Sequence, residues 1–260
     1  MSYRLIVYER EGNVARIRLS DPATLNAISF AMAEELRDAF DRAGREARAA
    51  VVTGAGRGFC SGANLSVDLD PTSPDYDAGT YLHTHYNPLM LCIRTLPVPL
   101  VAAVNGATAG IGCSLALAAD LVVAAESAYF LQAFQRVGLV PDGGSSYLLA
   151  RSIGRARALE MMLLGERIGA AQALAWGMIN RVVPDAELNG AALGLAARLA
   201  EGPTLALAKI RELAWRASET TFPEQLELER RLQREAGLTA DHREGIAAFR
   251  AKRAPRFTGA

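Results

Sequence analysis

The chain has 260 residues, half of them hydrophobic, and its 28 basic and 28 acidic side chains cancel. That length can bury a large core, as one domain or as a domain with a terminal extension, and the hydrophobic share excludes a disordered chain. Zero net charge leaves no overall field to gather nucleic acid, and Cys60, Cys92 and Cys113 have no metal-like spacing.

In chain order, the start Met1-Ser2-Tyr3-Arg4-Leu5-Ile6-Val7 lacks a charged-then-apolar leader pattern. With cysteines that read as reduced, it suggests a cytoplasmic protein. Residues 4–8 and 14–19 are predicted to pair as strands through Glu11-Gly12-Asn13. Ser29 is predicted to cap a helix whose apolar face carries Phe30, Met32, Ala33, Leu36, Ala39 and Phe40. The short apolar runs Val51-Val52 and 101–104 read as strands of a buried sheet, as do 121–124 and 128–131. The segment from Asp68 to Gly79 reads as a mobile loop. The apolar stretch from Leu96 to Ala124 is broken by Pro97, Pro99, Asn105 and Asp120, so it is not a membrane span. After Ser145 helices are predicted over 155–164, 170–176, 187–200, 204–217 and 223–238. The expected division is an α/β core over 1–195 and a helical region over 196–260.

Two glycine-rich loops stand out. Gly58-Phe59-Cys60-Ser61-Gly62-Ala63-Asn64-Leu65 follows one apolar strand, and Asn105-Gly106-Ala107-Thr108-Ala109-Gly110-Ile111-Gly112 follows another. Glycine lets a backbone approach a ligand closely. Two such loops meeting in space would aim two main-chain N–H groups at one oxygen and stabilise a developing oxyanion. The second loop opens into a helix-forming run from Cys113 to Ala119, whose free N–H groups favour negative charge.

Asp142 is the only charged residue between Val137 and Ala150. A carboxyl among apolar groups is harder to ionise and can exchange a proton near neutral pH. An aspartate just before a helix is also a common cap, and the residues alone leave both readings open. His83 and His85 flank Thr84 without further ligands nearby, so surface or packing roles are the simpler reading. Cys60 and Cys113 flank the loops as small buried spacers, with no His or Lys neighbour in sequence to lower their pKa. Arg250, Lys252, Arg253 and Arg256 form a basic cluster without an intervening acid, suited to phosphates or simply to solvent.

The paired loops, Leu25-Asn26-Ala27, Gly138-Leu139-Val140-Pro141-Asp142-Gly143-Gly144, Ala175-Trp176-Gly177-Met178-Ile179 and the C-terminal Ala240-Asp241-His242-Arg243-Glu244-Gly245 together resemble the crotonase (enoyl-CoA hydratase/isomerase) superfamily across nearly the whole chain. The resemblance implies a spiral of β-β-α units with a helical C-terminal region that packs subunits into trimers or hexamers. It implies an acyl-CoA thioester substrate, no separate cofactor, and neither nucleic acid nor membrane as partner. The oxyanion donors it implies are the N–H groups of Ala63 and Ile111. Main-chain groups of Ala27, Ala63, Asn64 and Leu65 would hold the adenine, Phe249 and Lys252 would reach coenzyme A near a neighbouring subunit, and Gly110, Phe134 and Pro141 would border the acyl group.

Where hydratases of the family carry two glutamates, this chain has Ser114 and Phe134. Adding water needs two groups to manage water and proton, whereas moving a double bond needs one. An aspartate at the position of Asp142 is the acid/base of the isomerase branch and the nucleophile of the dehalogenase branch. The sequence is most similar to ring 1,2-epoxyphenylacetyl-CoA isomerases of phenylacetate breakdown, which share Tyr86-Asn87-Pro88-Leu89 and Val140-Pro141-Asp142, and to Δ3,Δ2-enoyl-CoA isomerases. The implied activity is therefore that of an acyl-CoA isomerase. The alternatives are a hydratase, and a non-catalytic acyl-CoA or RNA-binding relative.

Overall fold

Short apolar strands alternating with glycine turns dictate a chain that steps repeatedly between two sheets. The computed structural model describes residues 3–65 and 72–260. In chain order its elements are β1 (Ile6–Glu11), β2 (Val14–Leu19), α1 (Phe30–Glu46), β3 (Ala49–Gly54), β4 (Gly58–Cys60), α2 (Ala78–Tyr81), a π-helical turn (Leu82–Tyr86), α3 (Asn87–Arg94), β5 (Leu100–Val104), β6 (Ala107–Ala109) and α4 (Ile111–Leu117). They continue with β7 (Leu121–Ala125), β8 (Tyr129–Leu131), α5 (Ser145–Ser152), α6 (Gly154–Leu164), β9 (Ile168–Gly169), α7 (Ala170–Ala175), β10 (Arg181–Val183), α8 (Leu188–Ala200), α9 (Thr204–Arg216), α10 (Phe222–Gly237) and α11 (Ala240–Arg250).

The larger sheet has the order β1-β2-β3-β5-β7-β10, and the smaller one β4-β6-β8-β9. Each of the pairs β3/β4, β5/β6 and β7/β8 sends its first strand to the large sheet and its second to the small one, and helix follows each pair. That repeat is the expected spiral of β-β-α units. Only β1 on β2 and β9 on β8 pair antiparallel. Every residue of β3 and β5 is buried, as a parallel strand covered on both faces requires.

Local chemistry sets the elements as expected in several places. Ser29 caps α1, its Oγ accepting the Met32 N–H at 3.2 Å, a contact worth about 1 kcal/mol. The apolar face of α1 buries Met32, Ala33, Leu36, Ala39, Phe40 and Ala43. The first strand runs 6–11 rather than 4–8, because the turn is the two-residue Gly12-Asn13 with Gly12 at φ 57. The expected boundary at 195 falls inside α8, which packs on β3, β5 and β7. Asp68 to Pro71, the first third of the loop expected to be mobile, lies outside the described residues. From Ala78 the chain is helical, with Asp77 accepting the Gly79 N–H at 2.8 Å.

The C-terminal helices are fastened to the core by charge. Arg211 of α9, buried, donates from Nε to both oxygens of Asp120 at 2.6 Å and from a second nitrogen to the Ile93 carbonyl at 3.1 Å. Burial pushes the Asp120 carboxyl above its ordinary pKa despite that guanidinium and the Leu100 amide. Among the described residues no helix is long and apolar enough to cross a membrane.

Candidate active site

The first glycine loop is shaped by the segment Leu25-Asn26-Ala27-Ile28. Leu25 and Asn26 hold left-handed φ values of 55 and 60, a region Asn tolerates better than most residues. Asn26 is fully buried; its Nδ2 donates to the carbonyls of Ala55 (2.9 Å) and Gly58 (2.8 Å), and its Oδ1 accepts the Asp21 N–H. The chain then runs beside the loop: Ser61 N–H donates to Leu25, Ile28 N–H to Gly62, and Asn64 N–H to Ile28. In the resulting Ile28–Ala63 bridge the peptide groups on either side of Ala63 face Ile28, so the Ala63 N–H points the opposite way. The buried Tyr86 hydroxyl donates to the same Ile28 carbonyl at 2.9 Å.

The second loop is tied to the first at its root. Asn105 Nδ2 donates to Gly56 (3.0 Å) and Gly58 (3.2 Å), so two asparagines from different segments hold the Gly58 carbonyl. At the tip, a Cβ on Gly110 would stand 3.7 Å from Gly62 Cα and 3.4 Å from the Phe134 ring, and Gly110 itself has φ 52. Those are ordinary van der Waals distances, so it is the backbone conformation, not space, that favours glycine there. Ile111 is the first residue of α4, so its N–H has no intrahelical acceptor. Among the described residues, neither the Ala63 nor the Ile111 N–H donates to a protein group.

Both loops line a cavity of about 320 Å³. Tyr76, Tyr81, Leu82, Tyr86, Phe134 and Val140 form much of its apolar wall, and Asp142 is the only acidic or basic residue among the described lining. Asp142 does not cap α5 with its side chain; the Ser145 N–H donates to the Asp142 carbonyl at 2.9 Å instead. The cap reading is thereby corrected. Asp142 Oδ1 is buried without a hydrogen-bond partner among the described residues. Burial pushes the carboxyl up to about 6 from an ordinary value of 3.8.

Of the residues singled out in the sequence, Ala63, Leu65, Gly110, Ile111, Phe134 and Asp142 meet at this cavity. Ala27 and Asn64 are buried beside it without lining it, and Pro141 only leads into Asp142. Phe249 and Lys252 lie at the end of α11 and beyond it, away from the cavity, with Phe249 83% exposed. The basic cluster is not free of acid in space: Glu244 binds both terminal nitrogens of Arg253, at 2.6 and 2.8 Å, and accepts the Arg256 N–H. His85 stacks on Phe30 with centroids 4.0 Å apart, and burial pushes the Cys60 and Cys113 thiols up to about 12, away from nucleophilic use. Ser114, at one of the two glutamate positions, places its Oγ 3.0 Å from the Asp142 carbonyl. The tyrosines of the wall were not anticipated; their signal is the aromatic spacing at 76, 81 and 86.

The sequence model of the enoyl-CoA hydratase/isomerase family matches residues 9–260. The chain belongs to that family. It is 47% identical over the full length of both chains to a Rhodobacter capsulatus protein named probable enoyl-CoA hydratase. It is 45% identical to the 1,2-epoxyphenylacetyl-CoA isomerase of Escherichia coli, covering 96% of each chain. The crystal structure of an enoyl-CoA hydratase from Polaromonas sp. JS666 superposes with a TM-score of 0.89 at 38% identity, covering 97% of this chain and 99% of that one. The protein is an enzyme of the enoyl-CoA hydratase/isomerase family, and relatives carry both names.

The raised Asp142 pKa has a consequence for stability. The folded state binds this proton more tightly than the unfolded chain, so ionisation opposes folding above about pH 6 and ceases to matter below about pH 4. Asp142→Asn is expected to stabilise the fold by up to about 3 kcal/mol near pH 8, the gain vanishing toward pH 4. Urea unfolding across that range checks it, and a pH-independent difference contradicts it.

Proposed function

We propose that this enzyme is an acyl-CoA isomerase that works through a thioester enolate. The thioester oxygen accepts the N–H groups of Ala63 and Ile111, which have no other acceptor among the described residues. The Asp142 carboxylate takes a proton from C2 of a 3-enoyl thioester, and the electron pair moves onto the carbonyl oxygen. The protonated carboxyl then returns the proton at C4 while the enolate collapses. The double bond shifts from C3 to C2, and Asp142 is regenerated.

The observation that carries this reading is that Asp142 is the only acidic or basic residue among the described lining, unpartnered, where a hydration reaction calls for two managing groups. Ser114 and Phe134 occupy the places of the two glutamates, and Phe134 presents only a ring to the cavity. A carboxyl whose pKa is pushed to about 6 can both accept and release a proton near neutral pH. The aromatic wall suits an unsaturated or ring-bearing acyl group. The E. coli relative is named for isomerising 1,2-epoxyphenylacetyl-CoA, another thioester, which is compatible with the same enolate chemistry.

With purified enzyme, 3-enoyl-CoA is expected to gain the absorbance of the conjugated 2-enoyl thioester, while crotonyl-CoA is left unhydrated. Asp142→Asn should keep thioester binding and lower turnover by about 100- to 10,000-fold. Turnover should fall with acid below about pH 6, since the base must be ionised. Rapid hydration of crotonyl-CoA, unchanged turnover in Asp142→Asn, or a mass increase from an acyl-enzyme would each sink the proposal.

The proposal extends to assembly. The helical region from α9 to α11 leaves Leu205, Ile210, Phe222, Leu238, Ile246 and Phe249 exposed, apolar side chains that a second copy would cover. Contact between copies through this region gives a trimer, and sedimentation should report three or six times 27.7 kDa. A single 27.7 kDa species contradicts it.

A further inference from the structure

Ser114 sits in α4, where a serine hydroxyl ordinarily bonds to the carbonyl one turn back or points to solvent. It does neither. Its Oγ, fully buried, reaches across to the Asp142 carbonyl at 3.0 Å and lies 2.6 Å from Ser145 Oγ. Ser145, also fully buried, brings Oγ to the same carbonyl at 2.8 Å and its own N–H at 2.9 Å. Two hydroxyl protons serve three short contacts, so one hydroxyl donates to the other or both donate to the carbonyl. Packing is equally close: a Cβ on Gly143, which has φ 57, would stand 2.8 Å from Ile111 Cγ1 and 3.0 Å from Ser114 Oγ.

We propose that Ser114 and Ser145 are positioning residues: their hydroxyls clamp the Asp142 main chain so that its carboxyl faces the cavity instead of capping α5. This rests on the reading of Asp142 as the proton carrier. The physical alternative is close at hand. The first N–H groups of a helix attract a preceding aspartate side chain, and here the Ser145 N–H is already taken by the Asp142 carbonyl. The clamp also sets distance. Ile111 and Ser114 lie one turn apart on α4, so the same turn of helix offers the Ile111 N–H and grips the residue that carries the proton.

Among the described residues, the titratable or charged groups on the packed elements are Cys113 on α4, Tyr147 and Arg151 on α5, Arg136 on the turn Phe134–Val137, and Tyr76, Tyr81, His83, His85 and Tyr86 across the cavity. None of them contributes to the raised carboxyl pKa, for which burial is the sole cause. A carboxyl that swings to the α5 cap gains N–H donors, which favour its charged form.

The test uses the intact enzyme with 3-enoyl-CoA, comparing wild type, Ser114→Ala, Ser145→Ala, the double alanine variant, Ser145→Thr and Asp142→Asn. The double variant is expected to lose about 10- to 100-fold in kcat with KM changed by less than about threefold. The acid limb of its kcat profile should move down from about pH 6 toward pH 4. Ser145→Thr, which keeps the hydroxyl, should recover most of the Ser145→Ala loss. If the double variant does not fold, Ser114→Ala alone carries the test, because Ser145 remains on the carbonyl. An unchanged kcat, a change confined to KM, or a lost kcat with an unmoved acid limb overturns the clamp while Asp142→Asn stays inactive. An active Asp142→Asn overturns the underlying reading instead.

Discussion

A buried carboxyl without a hydrogen-bond partner is the constraint around which this site is organised. Proteins ordinarily satisfy such a group, because leaving it charged in apolar surroundings destabilises the fold. Asp142 Oδ1 is left unsatisfied among the described residues, while the carbonyl of the same residue accepts the Ser145 N–H and lies within hydrogen-bond distance of the Ser114 and Ser145 hydroxyls. The result is a group whose proton affinity is set by burial alone and whose position is set by the backbone. Under the proposed chemistry that separation is useful: hydrogen bonds to the carboxyl itself would depress its proton affinity and occupy its lone pairs.

The same division between main-chain placement and free functional groups holds at the amides. The spiral puts β4, β6 and β8 side by side in the small sheet, so the ends of two successive strands deliver Ala63 and Ile111 to neighbouring positions. Asn26 and Asn105 then converge on the Gly58 carbonyl, and Tyr86 fixes Ile28 behind Ala63. Each of these side chains ties down a backbone group in or beside the first glycine loop. The two loop tips run close enough that a Cβ added at Gly62 or Gly110 would meet the backbone of the other. Fold and site are thus linked through loop geometry more than through side chains that touch a substrate.

Much of this was legible in the sequence, and the misses have physical causes. Asp142 stood out because it is a lone charge in an apolar run, and α1 because Ser29 precedes a clean apolar face. The strands β4 and β6 were read as loops, since three residues inside a glycine-rich stretch carry no alternation. β10 lies in a region read as helical because Arg181–Val183 is short and half-exposed. α11 lies in the region expected to be helical, but its bounds are not legible because it buries only Asp241 and Ala248, leaving almost no periodic apolar signal. Ser114 marks a glutamate position of the family, but its contact with Asp142 is not legible in sequence: the partner is 28 residues away, and only the packing of α4 on the Pro141–Gly144 turn brings them together. The carboxyl's choice between capping and facing the cavity depends on that same packing.

The most direct measurement is a crystal structure of the enzyme with a bound saturated acyl-CoA. The account predicts the thioester oxygen about 3 Å from both the Ala63 and Ile111 nitrogens, with the Asp142 carboxyl facing the carbons next to the thioester. A thioester oxygen bound away from those amides, or an Asp142 carboxyl folded back onto the start of α5, would contradict it.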